Sequence, residues 1–297
     1  MTFFRKILLF SKYLFHFLYS IYLTSKNGSY KFIVFSKDRP LQLHALLKSI
    51  QHFVVGEFEI FIIYNVSNEE TYGKTYLELA REFKSENIKF IKENNSFRDT
   101  LKKVLIKINK GRIFFLVDDI IFKNFINLSV LDKVNIRTCV FSLRHGTHLS
   151  HSYVVNRSQK LPFFSESSFS SEVIEWKWSL GELDWGYPLS VDGHLFDISE
   201  ARFWVNNLNF KSPNTFELSL QIFKRFYFLK KGMAFRNSII LNIPCNKVQD
   251  DIQNFHGNLH QSELLNLWNN GYRIDHLSFQ NILNKSVHEE LEFKIIK

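Results

Sequence analysis

The chain of 297 residues is long enough for one large α/β domain or two small ones, and its 45% hydrophobic content excludes disorder as the default state. A formal net charge of +9 admits nucleic acid, an anionic membrane surface or a phosphate-bearing substrate as partner, but Lys and Arg are spread through every segment, which argues against a dedicated nucleic-acid binder. The only cysteines, Cys139 and Cys245, lie far apart outside any C-x-x-C spacing, so they point to neither a disulfide framework nor a thiolate zinc site and fit a reducing cytoplasm.

Residues 1–28 read as an amphipathic helix. Ile7 to Leu23 is mostly apolar, yet Lys12 and His16 interrupt it, and it falls short of the ~20 apolar residues of a bilayer-spanning helix. Arg5, Lys12, His16 and Ser20, separated by seven, four and four, fall on one narrow polar stripe. No small-x-small cleavage site follows before Tyr30, which disfavours a signal peptide. Two placements stay open: a helix lying in the membrane interface, which makes the protein peripheral at the inner, cytoplasmic face, and a helix packed on the domain.

From Tyr30 the chain alternates short apolar runs with helix-period segments, the mark of βαβ units around a mostly parallel sheet. The predicted strands are Lys31 to Phe35, Glu59 to Tyr64, Ile88 to Ile91 and the all-apolar Ile113 to Val117. Between them run helices from Pro40, through Tyr72 to Phe83, and from Phe97, the last opened by a capping box at Ser96 to Asp99 and stopped by Gly111. Beyond Asp119 the pattern weakens to a strand at Thr138 to Leu143, an aromatic stretch at Glu172 to Tyr187, helices at Ser199 to Leu208 and Thr215 to Phe228, and a strand at Ser238 to Ile243. No linker divides the chain, so 30–283 is expected to be one α/β domain, with a regular half (30–122) and an irregular half (123–283), followed by a tail (284–297).

Asp118 and Asp119 directly follow the buried fourth strand, and the carboxyl ends of such strands are where open α/β sheets place ligands. Adjacent carboxylates there suit Mg²⁺ or Mn²⁺, which bind through one or two carboxylates plus substrate phosphates; the alternative is one capping Asp and one solvated Asp. With these features in view, 31–122 resembles the nucleotide-binding half of the glycosyltransferase-A fold, in the style of family-2-like enzymes. Phe32 to Pro40 is similar to their opening strand and x-N-R-P loop, and Phe115 to Asp119 to the strand delivering their D-x-D motif. Val117 replaces the motif's first Asp, and Asn65 the family's second-strand Asp.

The resemblance implies a metal-dependent transfer of sugar from a nucleotide-sugar donor to a glycan or lipid-linked acceptor in surface polysaccharide synthesis. It implies that Ser36, Arg39, Asn65, Arg98 and Asp118 hold the nucleotide, and that Asp119 and Asp118 ligate the metal, joined by His256. Arg39 has the alternative of an ordinary salt bridge. Tyr187 to Phe196 looks like the acceptor-side loop, with Gly193 allowing the backbone to approach the donor sugar closely. Glu217, at the start of a helix, stands in the order where inverting members carry their base, with Asp192 as the second catalytic candidate; ordinary helix-dipole stabilisation is the other use of Glu217. Trp178, Trp185 and Tyr187 offer flat faces for a sugar, or core packing. His145, His148 and His151 have helical spacing without an evident acid or thiol partner for zinc. The rival readings are a nucleotidyltransferase, against which the absence of glycine from Ser36 to Leu41 speaks, and a non-enzymatic basic module at a membrane.

Overall fold

Strand alternation builds the core in this computed structural model, which describes residues 3–22, 29–244 and 261–297. Strand β1 (Tyr30–Lys37) sends Phe32 and Val34 to one face and Ile33 and Phe35 to the other, and all four are buried. A strand covered on both faces needs apolar residues at every position, so the run lacks the alternation of a half-exposed strand. The same holds for β2 (Phe58–Asn65) and β4 (Arg112–Val117); β3 (Ile88–Lys92) closes one edge.

The second half extends the sheet with β5 (Cys139–Ser142), β6 (Ser165–Ser167), β7 (Ser170–Lys177), β8 (His194–Asp197) and β9 (Lys231–Phe235). The nine strands lie in the order β6-β7-β9-β5-β8-β4-β1-β2-β3. Pairing directions make β1 to β6 and β9 run one way, with β7 and β8 reversed, so the fold is α/β with a mostly parallel sheet.

One face is covered by α2 (Pro40–Phe53), α3 (Lys74–Glu82) and α8 (Gln261–Asn269). The other carries α4 (Phe97–Lys107), α5 (Ile198–Asn207), α6 (Pro213–Leu220) and α7 (Lys224–Tyr227). Ser96 caps α4 as expected, accepting from the Asp99 amide. Gly111, however, does not stop that helix, which ends at Lys107. Gly111 has φ +142 and lies so close to the Ser29 carbonyl that a Cβ would sit 2.6 Å from its oxygen, so its role is the close approach of two strand starts. The expected single helix from Thr215 to Phe228 is broken by a 3₁₀ turn at Gln221–Phe223. The predicted strand at Ser238 to Ile243 is a short one, Ile240–Asn242, which pairs with Ile120–Phe122 outside the main sheet.

Helix α1 (Phe3–Tyr22) has two apolar faces. Leu9, Tyr13 and Phe17 are buried, with Tyr13 stacked at 4.1 Å on Phe223 and edge-on to Phe203 and Phe226. The opposite face leaves Ile7, Leu8, Leu14, Phe15, Leu18 and Tyr19 exposed. Packing on the domain is therefore realised, and a second apolar surface stays open to solvent. Among the described residues no helix is long and apolar enough to cross a membrane.

Residues 284–297 are woven into the domain. Asn284, Ser286 and Val287 are buried, and Ile295–Ile296 pairs with Arg273–Ile274. This brings His288 inside.

Candidate active site

Three strand ends and two loops converge on a cluster of charges. At the end of β1, Asp38 adopts φ 55, a left-handed conformation that Asp tolerates better than most residues, and its carboxylate accepts from the Ser67 amide at 2.8 Å. The chain thereby turns sharply into Pro40 at the first position of α2, and Arg39 is directed back over the sheet end. Its Nη1 lies 3.0 Å from Asp118 Oδ1 and 2.8 Å from Asp119 Oδ2. This ion pair is buried, which rules out the ordinary surface salt bridge.

The remaining oxygens of the two aspartates are also held. Asp118 Oδ2 accepts from the Lys37 amide at 3.1 Å, and Asp119 Oδ1 from Asn242 Nδ2 at 3.0 Å. Burial pushes Asp118 up to about 6 against the pull of Arg39. Asp119 is raised as well, by burial and by the nearby Asp192, again against Arg39.

Asp192 faces this pair from the loop before β8. Gly193, at φ +73, donates its amide to the Phe115 carbonyl at 2.8 Å while its own carbonyl accepts from Leu143 at 2.9 Å. The positive φ strains any L side chain, and a Cβ would also displace the tip of Ile240, so glycine suits the point where the loop fastens to β4. Asp192 Oδ2 is 3.1 Å from His288 Nε2 and 3.4 Å from Arg144 Nη1. Burial acts to raise its carboxyl, but His288 and Arg144 outweigh it and hold Asp192 below the usual range.

Glu217, in the first turns of α6, reaches under the same loop. Its carboxylate accepts from Tyr187 Oη at 3.0 Å, Ser190 Oγ at 3.1 Å and the Val191 amide at 2.7 Å. Burial and the neighbouring Asp192 push its pKa up. Two acids in one cluster are thus driven in opposite directions.

Arg39, Asp118, Asp119, Asp192 and Glu217 therefore share one site. Ser36 joins them at its edge, with Oγ 2.6 Å from Tyr76 Oη, and Asn65 stands opposite Lys37 in the β1–β2 register with its side chain bonded to Glu93. Arg98 does not join. Its guanidinium bonds the Val205 and Asn206 carbonyls at 3.1 and 3.4 Å, the C-terminal end of α5, where a cation offsets the helix dipole. His256 lies outside the described residues.

Trp178 and Trp185 are fully buried core residues, and only Tyr187 of the three candidate aromatics reaches the cluster. His145 bonds Ser142 at 2.7 Å and the Asp184 carbonyl at 3.1 Å, while His148 bonds the Asn284 carbonyl at 3.0 Å. The histidine spacing thus serves hydrogen bonding between loops.

Sequence reading missed Arg144, His288 and Asn242. Arg144 carried a usable signal, a charged residue two positions past a buried strand. His288 had none, since its partner is 96 residues away.

The His288–Asp192 pair makes a pH prediction. Burial alone would lower the imidazole's pKa, but Asp192 raises it above 6.5, with Arg144 opposing and Asp184 assisting. Because the folded value is the higher one, the pair's stabilisation is fully present below about pH 6.5 and is lost as pH rises through the native value. His288→Gln is expected to lower stability at pH 6 and to flatten its decline above pH 6.5 in urea denaturation curves. An unchanged decline in the variant would assign it to another group.

The aspartate pair suits a divalent cation. Two hard carboxylate oxygens converge on a single cationic point, now taken by the Arg39 nitrogen, and a cation of the Mg²⁺ type asks for no more protein ligands than that when a substrate supplies phosphates. Among the described residues no group of three His, Cys, Asp or Glu side chains is arranged to hold a metal.

No family model matches the chain. It is 24% identical over 220 residues to the bifunctional glycosyltransferase pgtA of Dictyostelium discoideum, a match that takes in 65% of this chain and 28% of that protein. The chain thus spans little more than a quarter of the length of this curated relative. Among solved structures, S. aureus TarS 1–349 in complex with UDP-GlcNAc aligns at 16% identity and a TM-score of 0.44, covering 71% of this chain and 57% of that one. The mannosyltransferase PcManGT of Pyrobaculum calidifontis, in complex with GDP-Man and Mn²⁺, aligns at 9% identity and 0.32, covering 46% of each chain. The 4-diphosphocytidyl-2C-methyl-D-erythritol synthase of Anaerococcus prevotii aligns at 11% and 0.39, covering 73% of this chain and 90% of the other. Structural likenesses this distant carry no argument about activity.

Proposed function

We propose that the chain is a nucleotide-sugar glycosyltransferase that moves a sugar onto a hydroxyl of a glycan or lipid-linked acceptor. The observation that carries this reading is the convergence of Arg39, Asp118 and Asp119 at the carboxyl ends of buried parallel strands, with two oppositely shifted acids, Asp192 and Glu217, facing them. The sequence similarity to a glycosyltransferase agrees with it.

In this reading the Ser36 to Arg39 loop and the end of β2 at Tyr64 and Asn65 cradle the nucleotide, and Arg39 turns from the aspartates to the diphosphate. Asp119 and Asp118 would hold a Mn²⁺ or Mg²⁺, which when bound would supply Lewis-acid stabilisation of the diphosphate leaving group. Asp192, fixed by Arg144 and His288, orients sugar hydroxyls. Glu217 takes the acceptor proton as the acceptor oxygen bonds to the anomeric carbon and the bond from that carbon to the diphosphate breaks. The exposed apolar face of α1 supports a peripheral position at a membrane carrying a lipid-linked acceptor or growing surface polysaccharide.

A thermal-shift panel of nucleotides and nucleotide sugars, with and without Mn²⁺, tests the reading, since a ligand that binds only the native state raises its melting temperature. One nucleotide sugar is expected to give a Mn²⁺-dependent shift that Asp119→Ala removes while the unliganded protein still melts cooperatively. A full shift in that variant would take Asp119 out of the site.

A further inference from the structure

The lysines that look scattered along the sequence gather on the folded chain. A cleft of about 710 Å³ opens beside the edge strand β3 and beneath α4, and six of its lining residues are Lys31, Lys89, Lys92, Lys103, Lys107 and Lys110. Register and helical spacing explain the gathering. Lys31 pairs with Glu59 across β1 and β2, and Phe61 with Lys89 across β2 and β3, so strand alternation puts these residues on the face that α4 covers. Lys103 and Lys107, four apart, project from one flank of α4 over the same edge.

The positive charge is far from neutralised. Glu59 is the one acidic residue lining the cleft and bonds both Lys31 and Lys89, the latter at 2.7 Å. Lys92 alternates to the opposite sheet face, level with Tyr64, and its ammonium is taken by Glu69 at 2.5 Å, so it marks only the end of the cleft. Among the described residues Lys103, Lys107 and Lys110 have no carboxylate partner. Like charges held around a concavity focus a positive potential inside it.

We infer that this cleft binds a linear, base-free chain of phosphate groups of the polyphosphate type. Length favours a chain. The lining runs from Lys31 and Lys110, beside the starts of β1 and β4, to Lys92 and Asn94 at the far end of β3, roughly 15–20 Å at strand spacing. Depth disfavours a flat membrane, because the Lys31 side chain at the floor is only 7% exposed. Nucleobases find no stacking platform: Phe61, the aromatic residue of the lining, is 6% exposed and lies under the Lys89 ammonium at 4.9 Å. The cleft is separate from the Asp118–Asp119 cluster, so it stands whether or not the glycosyltransferase reading does.

The test is fluorescence anisotropy of the full chain with labelled short-chain inorganic polyphosphate. Binding is expected to weaken steeply with added salt and to drop on the order of 10- to 100-fold in Lys103→Glu/Lys107→Glu, with Lys103→Gln/Lys107→Gln intermediate. The nucleotide-dependent shift should persist in both variants, since neither lysine touches the aspartate cluster; the melting temperature should stay near wild type in the glutamine variant and fall slightly in the glutamate variant, because Lys107→Glu puts an acid in the last turn of α4. Equal polyphosphate affinity in all three proteins would overturn the assignment. So would lysine-dependent binding of acidic-lipid vesicles or single-stranded DNA without binding of polyphosphate.

Discussion

Glu217→Gln is expected to lower sugar-transfer turnover by ~10²–10⁴ while donor binding persists, because the carboxylate acts on the acceptor proton and not on the nucleotide. The pKa shifts single it out. A base working near neutrality needs a raised carboxyl, and burial together with Asp192 raises Glu217, whereas His288 and Arg144 lower Asp192. Glu217 also braces its loop through Tyr187, Ser190 and Val191, so a loss of rate must be separated from a loss of structure. Gln makes that separation. Its amide oxygen still accepts from Ser190 and Val191, and its NH₂ donates to the Tyr187 oxygen once the phenol rotates its proton away. A melting temperature near wild type with the large rate loss identifies a base. A near-normal rate leaves Glu217 as a loop brace, and a large loss in Asp192→Asn in its place exchanges the two roles.

The first half, 30–122, was legible in the sequence because its signals are local. All-apolar strands mark a sheet covered on both faces, Ser96 announces a helix start, and Pro40 sits where a first helical turn accepts it. Asp118 and Asp119 were legible for the same reason, standing directly after such a strand. The second half depends on contacts distant in sequence. Strand β9, Lys-Gly-Met-Ala-Phe, has no β-branched residue, and β6, Ser-Glu-Ser, is wholly polar, so neither reads as a strand until its neighbour is in place. Gly111 after a helical run looks like a stop signal, yet the backbone it accommodates belongs to Ser29. The resemblance gives Arg98 to the nucleotide, but the carbonyl end of α5 claims it, a contact between segments more than 100 residues apart. The lysine cleft shows the same limit from the other side, since charge spread through every segment of the sequence can still gather in space.

Arg39→Met is expected to destabilise the protein by about 3–5 kcal/mol, because it leaves two adjacent buried carboxylates without their counter-ion. Asp118 and Asp119 persist as neighbours while Arg39 lies 3.0 and 2.8 Å from them, and their raised pKa values show how poorly the site tolerates both charges even so. Two different cations can satisfy that requirement. If the aspartates are built for a divalent ion, Arg39 holds its place until donor phosphates draw the guanidinium away, and removing Arg39 leaves the ion's position open. Mn²⁺ without any nucleotide should then restore about 2–3 kcal/mol to the variant at a hundredfold excess over its Kd and stabilise the wild type far less. The double variant Arg39→Met/Asp119→Ala should lose that recovery. If Mn²⁺ leaves Arg39→Met as unstable as before, the aspartates exist to hold the arginine, and recognition of the donor diphosphate falls to the guanidinium itself, whose planar fork suits phosphate oxygens. Denaturation in urea with and without Mn²⁺ separates the two outcomes with no acceptor or product assay, so the answer does not depend on knowing which sugar is transferred.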